Sequence, residues 1–346
     1  MEFEKKLNAI HEKLQKAIEL ELTTIPPYLT AMYSIKKDTN NKVSNVIRSV
    51  FMEEMLHMVL AANLLISSGG KVKLGIDNIP NYPCRLMFKG KEFRDREFDI
   101  NLGALSKENL EIFLKIELPD FLSDLKLLEI KKIIIPGYTI GEFYNGIKED
   151  LTKLVEEFGI EKVFAGKHEN QLSEDYFWKA RGKIEVVKNL EDAIKAIDLI
   201  VEQGEGATVS LDKFSNDLFE AHYFKFNEIY HERSYAVDDD PRNPPTGEKF
   251  SIDYENIYPI KTNCKSSDFS EQPDLKNLND RFNYNYTIML NQLEEGFNGN
   301  PKVFYTAIMN GMHNLSPLAV AMMQTPINGD PQNRHGAPSF EWQKIN

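Results

Sequence analysis

Apolar residues recur every three to four positions over long stretches of the chain, and that spacing predicts helices. Leu7, Ile10, Leu14, Ala17 and Ile18 share one stripe of a helix over about residues 4–36. Pro26-Pro27 interrupts it, and the lost backbone donor predicts a kink one turn after Glu21. Asp38-Thr39-Asn40-Asn41 reads as a turn, and a second helix over about 42–67 stops at Gly69-Gly70. Residues 71–104 are rich in Pro, Gly and Asn and read as a long ordered loop with room for short strands. Further helices are predicted at Ser106–Leu118 with Ser106 as N-cap, then at about 139–158, 190–205 and 211–233. Asp238-Asp239-Asp240-Pro241 and Pro244-Pro245 open a polar, extended segment to about residue 275. Helices at about 276–296 and 302–323 follow, split by Asn298-Gly299-Asn300-Pro301. The tail from Pro326 to Asn346 has little periodicity, and no repeat recurs at a fixed period. The expected class is all-α, with a bundle over 1–236 and, over 237–346, an extended segment plus a helical pair packed on it.

Some of the stripes contain acids. Placing residues ~100° apart around each helix puts Glu21 with Leu7, Leu14 and Ile18. The same construction puts Glu54 and His57 with Val46, Val50, Ala61 and Leu64, and Glu53 at the edge of that face. Burying an unpaired carboxylate costs several kcal/mol, so acids in an apolar seam need a partner. A Glu on one helix and Glu-x-x-His on the next form half of a two-metal carboxylate centre in a helix bundle; the alternative is a buried Glu–His hydrogen bond without metal. Tyr28, seven residues after Glu21, is either a hydrogen-bond donor behind the ligands or a packed aromatic.

The second half of such a site is less determined. Glu228-Ile229-Tyr230-His231 repeats the Glu-x-x-His spacing but lies with Asp217, Glu220 and Asn227 on a polar face. His222 lies near the centre of the apolar face formed by Phe214, Leu218, Phe219, Phe226 and Ile229, so periodicity favours His222 over His231. In Gln203-Gly204-Glu205-Gly206, two glycines around an acid point to a close backbone approach or a special turn. Glu205 is then the candidate ligand, with an ordinary helix end as the alternative, and Glu202 points further away. Glu142 follows Thr139 at capping-box spacing and reads as part of a helix start.

Composition narrows the partners. A net charge of −12 argues against nucleic-acid or anionic-membrane surfaces, which need basic patches. Cys84 and Cys264 sit in no paired motif and read as reduced thiols, the N-terminus lacks a leader-like apolar run, and no run reaches ~18 apolar residues. The expected location is the cytoplasm, with no membrane or nucleic-acid partner and a homo-oligomer left open.

Several ordered motifs resemble the ferritin-like domain of iminophenyl-pyruvate dimer synthases. They are Glu21-Leu22-Thr23-Thr24-Ile25-Pro26-Pro27-Tyr28, Glu53-Glu54-Met55-Leu56-His57, Ile79-Pro80-Asn81-Tyr82-Pro83 and Ile116-Glu117-Leu118-Pro119. Thr139-Ile140-Gly141-Glu142-Phe143-Tyr144, Ile200-Val201-Glu202-Gln203-Gly204-Glu205-Gly206 and His222-Tyr223-Phe224-Lys225-Phe226 complete the set. The likeness runs to about residue 235 and is weaker in the last two helices. That family, in violacein-type indole pathways, couples two imines of indole-3-pyruvate oxidatively, in much longer proteins. The resemblance implies a ferritin-like four-helix bundle with long loop-rich insertions and a C-terminal helical extension. It also implies iron on Glu21, Glu54, His57, Glu205 and His222, and redox chemistry on a small molecule or peptide.

Carboxylate and imidazole ligands suit iron, with manganese as the alternative, in one or two ions, and leave positions open for dioxygen. The leading reading is therefore a non-haem iron oxidoreductase using dioxygen or peroxide on an amino-acid-derived substrate. A ferritin-type storage protein is the runner-up, and a metal-free helical scaffold with an acidic surface is a third reading.

Overall fold

The computed structural model describes residues 1–89, 95–119, 122, 134–136, 139–176, 181–206 and 216–345. The first two predicted helices form a long hairpin. Helix α1 spans Glu2–Tyr33 and helix α2 spans Asn41–Ser67; the turn between them holds Asp38 and Asn40 in the left-handed region, at φ 63° and 46°. Asn and Asp tolerate that conformation better than most residues. Helix α1 runs through Pro26-Pro27 as one element. Pro27 cannot donate to the Thr23 carbonyl, but the Tyr82 hydroxyl donates to that oxygen at 2.8 Å. One turn on, the Thr30 hydroxyl donates to the Pro26 carbonyl at 2.7 Å. The predicted interruption is thus bridged by side chains.

The loop-rich stretch after α2 contains a small sheet. Strand β1 (Cys84–Lys89) pairs antiparallel with β2 (Asp95–Ile100), in register from Cys84 against Ile100 to Lys89 against Asp95. Strand β3 (Ile134–Pro136) adds parallel to β1, giving the order β2-β1-β3. Helix α3 (Lys107–Ile116) starts at Ser106, whose hydroxyl accepts the Asn109 N–H. Helix α4 (Ile140–Phe158) starts at Thr139, which accepts the Glu142 N–H as the capping spacing predicts. A single turn, α5 (Ile160–Val163), precedes an irregular stretch that Asn63 staples to α2. The Asn63 amide donates to the Leu172 and Glu185 carbonyls and accepts the Leu172 N–H, each at 2.9 Å. Helix α6 (Leu190–Glu205) ends at Gly206, whose φ of 87° suits glycine.

The helix expected over 211–233 is shorter. Residues 216–220 form a 3₁₀ turn and Ala221 is extended at φ −70°, ψ 155°. Helix α7 covers only His222–His231, and 207–215 lie outside the described residues. The break makes His222 the first residue of its own helix. The polar segment from 237 carries no long helix, and α8 (Pro273–Phe297), α9 (Pro301–Thr306) and α10 (His313–Met323) follow, the last two joined by a π-helical segment, Ala307–Met312.

Helices α1, α2, α4 and α6 make the four-helix bundle, α3 and α7 pair beside it, and α8 and α10 pack on α2 and α1. Among the described helices α2 alone is long and apolar enough by composition to cross a membrane, but 89% of that window is buried inside the molecule. Cys84 and Cys264 are buried and unpaired, and burial pushes each thiol up to about 12.

Substituting Tyr82→Phe strips the Thr23 carbonyl of its donor in a buried setting. It should cost about 1–2 kcal/mol, read as a lower denaturation midpoint at unchanged m-value. An unaltered midpoint would show that the helix tolerates its two prolines without this bond.

Candidate metal centre

Six acidic or imidazole side chains converge in the bundle, each almost fully buried. Glu21 comes from α1 and Glu53, Glu54 and His57 from α2. Glu117 comes from the C-terminal end of α3 and His222 from the first turn of α7. The helical stripes account for Glu21, Glu54, His57 and His222. Glu53, expected at the edge of its stripe, is only 2% exposed.

Each outer ligand candidate is held from behind by one donor or acceptor and presents its other atom inward. The Tyr144 hydroxyl of α4 donates to Glu21 Oε1 at 2.5 Å, while Glu21 Oε2 stands 3.8 Å from His57 Nδ1. The Tyr28 hydroxyl donates to Glu117 Oε1, while Glu117 Oε2 stands 3.5 Å from His222 Nδ1. His57 Nε2 lies 3.0 Å from Gln203 Oε1 on α6. The Gln203 amide nitrogen is itself tied to the Arg181 carbonyl at 2.8 Å, which fixes the amide's orientation. His57 therefore donates through Nε2, and its Nδ1 faces the acids. His222 repeats the device, with Nε2 against Glu53 Oε2 at 2.9 Å. Lys225 in turn holds Glu53, its Nζ 3.1 and 3.3 Å from the two carboxylate oxygens.

Glu54 sits between the two imidazoles. Its Oε2 is 3.8 Å from His57 Nδ1 and its Oε1 is 2.7 Å from His222 Nδ1. Yet Glu54 Oε1 and His222 Nδ1, although paired by charge, meet without the alignment of a hydrogen bond, and neither has another partner. Two buried polar atoms facing each other without a hydrogen bond are what a bound cation resolves, since both then point lone pairs at it. Ligand atoms of Glu54, His57 and His222 all lie within 4.8 Å of one another. The hard carboxylate and borderline imidazole donors suit iron or manganese, so the residues present fit such an ion.

Without a cation the cluster shares protons. Burial pushes Glu21 up to about 8, with Glu54 adding to the rise and His57 opposing it. Burial also raises Glu117, and the neighbouring Glu54 charge adds to it. Burial would push Glu54 up too, but His222 and His57 outweigh it and hold this carboxyl well below the usual range. Burial disfavours charge on His57, but Glu21 and Glu54 lift it to about 9. His222 is raised well above its ordinary value against burial, by Glu54, Glu117 and Glu53. Burial keeps Tyr28 and Tyr144 neutral donors, the acids nearby reinforcing it.

The remaining sequence candidates lie elsewhere. His231 is exposed at the end of α7, its ring packed edge-on against Tyr230 at 5.1 Å. Glu228 accepts the Tyr235 N–H at 2.7 Å, Glu202 is exposed, and Glu142 sits in the first turn of α4. Glu205 is the last residue of α6, and its side chain lies outside the described residues. Of the two glycines flanking it, Gly206 ends the helix, and a Cβ on Gly204 would sit 3.9 Å from Glu117 Oε2. Tyr28 is both donor and packed aromatic, its ring 4.6 Å from Phe113 and 5.0 Å from Phe226.

Glu117 and Tyr144 escaped the stripe reading, although both lie in the quoted motifs. Glu117 follows the apolar face of α3 as its C-cap, beyond the reach of a helical wheel. One signal was available: a helix C-terminus repels negative charge, so a buried carboxylate there is unexpected without a positive partner.

The Glu53–Lys225 pair gives a test of these electrostatics. Lys225→Met should cost about 3 kcal/mol by leaving Glu53 buried with one partner fewer. Combining it with Glu53→Gln should recover part of that loss in chemical denaturation. Equal stability of the single variant and the native chain would mean the ammonium is solvated rather than paired.

Comparison with known proteins places the architecture. A family model described as ferritin-like matches residues 14–231. Dichlorochromopyrrolate synthase from Lentzea aerocolonigenes is 25% identical over 339 residues, covering 88% of this chain; the chain spans 30% of that relative's length. The crystal structure of a ferritin like protein from Caulobacter vibrioides superposes with a TM-score of 0.60 at 21% identity, covering 91% of this chain and 94% of the other. These findings agree with the resemblance carried by the motifs. The chain belongs to the ferritin-like family.

Proposed function

We propose that this protein is a metal-dependent oxidoreductase, with iron as the first choice and manganese as the alternative, that oxidises a small amino-acid-derived molecule or peptide. Glu21, Glu54, His57, Glu117 and His222 would hold the metal. Glu205 stays a candidate from the sequence. The observation that carries this reading is the facing pair, Glu54 Oε1 and His222 Nδ1, 2.7 Å apart and both without a hydrogen-bond partner. Bound iron would supply one-electron chemistry with dioxygen or peroxide.

The protein's own groups would orient the ligands and admit the substrate. Tyr144, Tyr28, Gln203 and Glu53 each fix one ligand's rotamer or tautomer, which typically matters ten- to a hundredfold for metal affinity (roughly). A cleft of about 600 Å³ opens from solvent onto Glu53 and Lys225, with Phe219 and Tyr235 among its walls. Their rings stack at 4.3 Å and 7°. Glu53 touches His222 directly, so the cleft floor is one side chain away from the ligand cluster. A volume in the range ~300–1,000 Å³ suits a small organic molecule. Similarity to a named synthase favours such a substrate over iron storage.

Elemental analysis of anaerobically purified, ferrous-reconstituted protein separates the readings. An enzyme carries roughly one or two ions per chain, a store accumulates many, and a scaffold takes none. Glu54→Ala and His57→Ala should each remove nearly all bound iron while far-ultraviolet circular dichroism stays native. Among the other variants, Glu117→Ala and His222→Ala should lower iron content at least tenfold, whereas His231→Ala should not. Full loading of both Glu54→Ala and His57→Ala would remove the site as described.

A further inference from the structure

Four Asn-Gly pairs occur in the chain, at Asn145, Asn298, Asn310 and Asn328, and the structure sets the last of them apart. A glycine after an asparagine leaves the next backbone nitrogen open to the asparagine side chain, because no Cβ stands beside it. Asn145 lies inside α4 and Asn310 inside the π-helical segment, where regular backbone directs the following N–H along the helix and away from the side chain. Asn298, at the end of α8, is held at three points. Its amide nitrogen donates to the Val72 and Glu294 carbonyls at 2.8 and 2.9 Å, and its Oδ1 accepts the Val72 N–H at 3.0 Å. Asn328 and Gly329 are exposed at the tip of a turn, where Gly329 takes φ 73°. The Asp330 N–H closes this turn on the Ile327 carbonyl at 3.2 Å. Among the described residues, neither the Asn328 side-chain amide nor the Gly329 N–H has a hydrogen-bond partner.

We propose that Asn328-Gly329 is a site of self-modification, where the chain converts asparagine to a mixture of aspartate and isoaspartate with water as co-reactant. Solvent hydroxide takes the Gly329 amide proton, and the freed nitrogen attacks Asn328 Cγ. The bond from Cγ to the side-chain nitrogen breaks, that nitrogen leaves as ammonia, and a five-membered imide closes. Water then opens the imide at either carbonyl. Addition at Cγ restores the original backbone and leaves aspartate; addition at the main-chain carbonyl reroutes the backbone through Cγ and leaves isoaspartate. No electrons are exchanged, and the sum is amide plus water giving carboxylate plus ammonium. The attack needs the Asn328 peptide to rotate. What opposes rotation there is the long bond across the turn and one tie to a side chain, whereas Asn298 must release three bonds and Asn145 and Asn310 a helical turn.

That tie gives the modification a consequence. Gln272, the N-cap residue of α8, holds the turn with both ends of its amide. Its Nε2 donates to the Pro326 carbonyl at 3.0 Å and its Oε1 accepts the Asn328 N–H at 2.9 Å. Isoaspartate inserts an extra backbone carbon ahead of Gly329 and adds a carboxylate close to Asp330, whose oxygens already hold Arg334. The bond across the turn cannot keep its spacing over a longer backbone, so the link between the end of α10 and the start of α8 loosens. Aspartate at the same position leaves the backbone path unchanged and keeps the link.

The test ages the full chain for days at mildly alkaline pH, folded and, in parallel, unfolded in urea, and follows each Asn-Gly peptide by mass spectrometry. Electron-transfer fragmentation separates isoaspartate from aspartate. In urea the four pairs should convert at similar rates. In the folded chain Asn328 should convert first, at least about tenfold faster than Asn298, the difference that one or two hydrogen bonds impose. Backbone hydrogen exchange around the turn should quicken in the aged chain and stay native in Asn328→Asp. The proposal is overturned if the folded chain converts another pair first, or if Asn328 is as slow as Asn298 while urea lets both react. Unchanged exchange in a chain rich in isoaspartate would overturn the loosening.

Discussion

Four carboxylates share the interior of one helix bundle, and their charge is the constraint to which its inner face is built. Glu21, Glu53, Glu54 and Glu117 are each at most 3% exposed. Among the described residues, the ammonium that stands against them is that of Lys225, and it contacts Glu53. Desolvating charges of one sign without compensation costs several kcal/mol per group. The deficit is met with protons when no cation is bound, which is why Glu21 and Glu117 are pushed up and both imidazoles hold their protons strongly. A cation relieves the same deficit with fixed geometry and frees the imidazole lone pairs. Much of the surrounding architecture follows from that need. Tyr144, Tyr28 and Gln203 lie in three different elements, and each contributes one hydrogen bond that keeps a ligand atom turned inward.

The hairpin of α1 and α2, apart from the passage through Pro26-Pro27, was legible in the sequence because regular helices convert spacing into direction. Glu21, Glu54 and His57 each share an apolar stripe, and each is buried, as the stripe predicts. The rest of the centre comes from positions where that conversion fails. Glu117 sits on a helix cap, and His222 begins a helix that the pattern ran several residues too far back. Periodicity reached His222 through a continuous helix over 211–233 that the extended Ala221 does not allow. Glu53 lies between the faces of α2, so its burial depends on α7 covering it, a tertiary fact that no wheel contains. The bridging of Pro26-Pro27 is similar: Tyr82, fifty-nine positions from Thr23, supplies the bond.

The additions to the bundle divide along its surface. On one flank α3 and α7 deliver Glu117 and His222, and α7 also borders the cleft floored by Glu53 and Lys225. On the other side, helices α8 and α10 pack against α2 and α1.

The bundle is also electrostatically lopsided. Helices α1 and α2 bring three carboxylates towards the cluster, whereas the side chain that α6 places against His57 is a neutral amide. Among the described residues, with both imidazoles neutral, the four carboxylates of the cluster and the Lys225 ammonium would leave three negative charges. A single divalent ion reduces that excess to one negative charge, and a second ion reverses it to one positive charge. Neither state is neutral, so the first ion gains the larger electrostatic relief, and a second binds against the field of the first. Within the described residues, the ligand atoms that lie within 4.8 Å of one another are those of Glu54, His57 and His222, and these three side chains face the largest share of that charge.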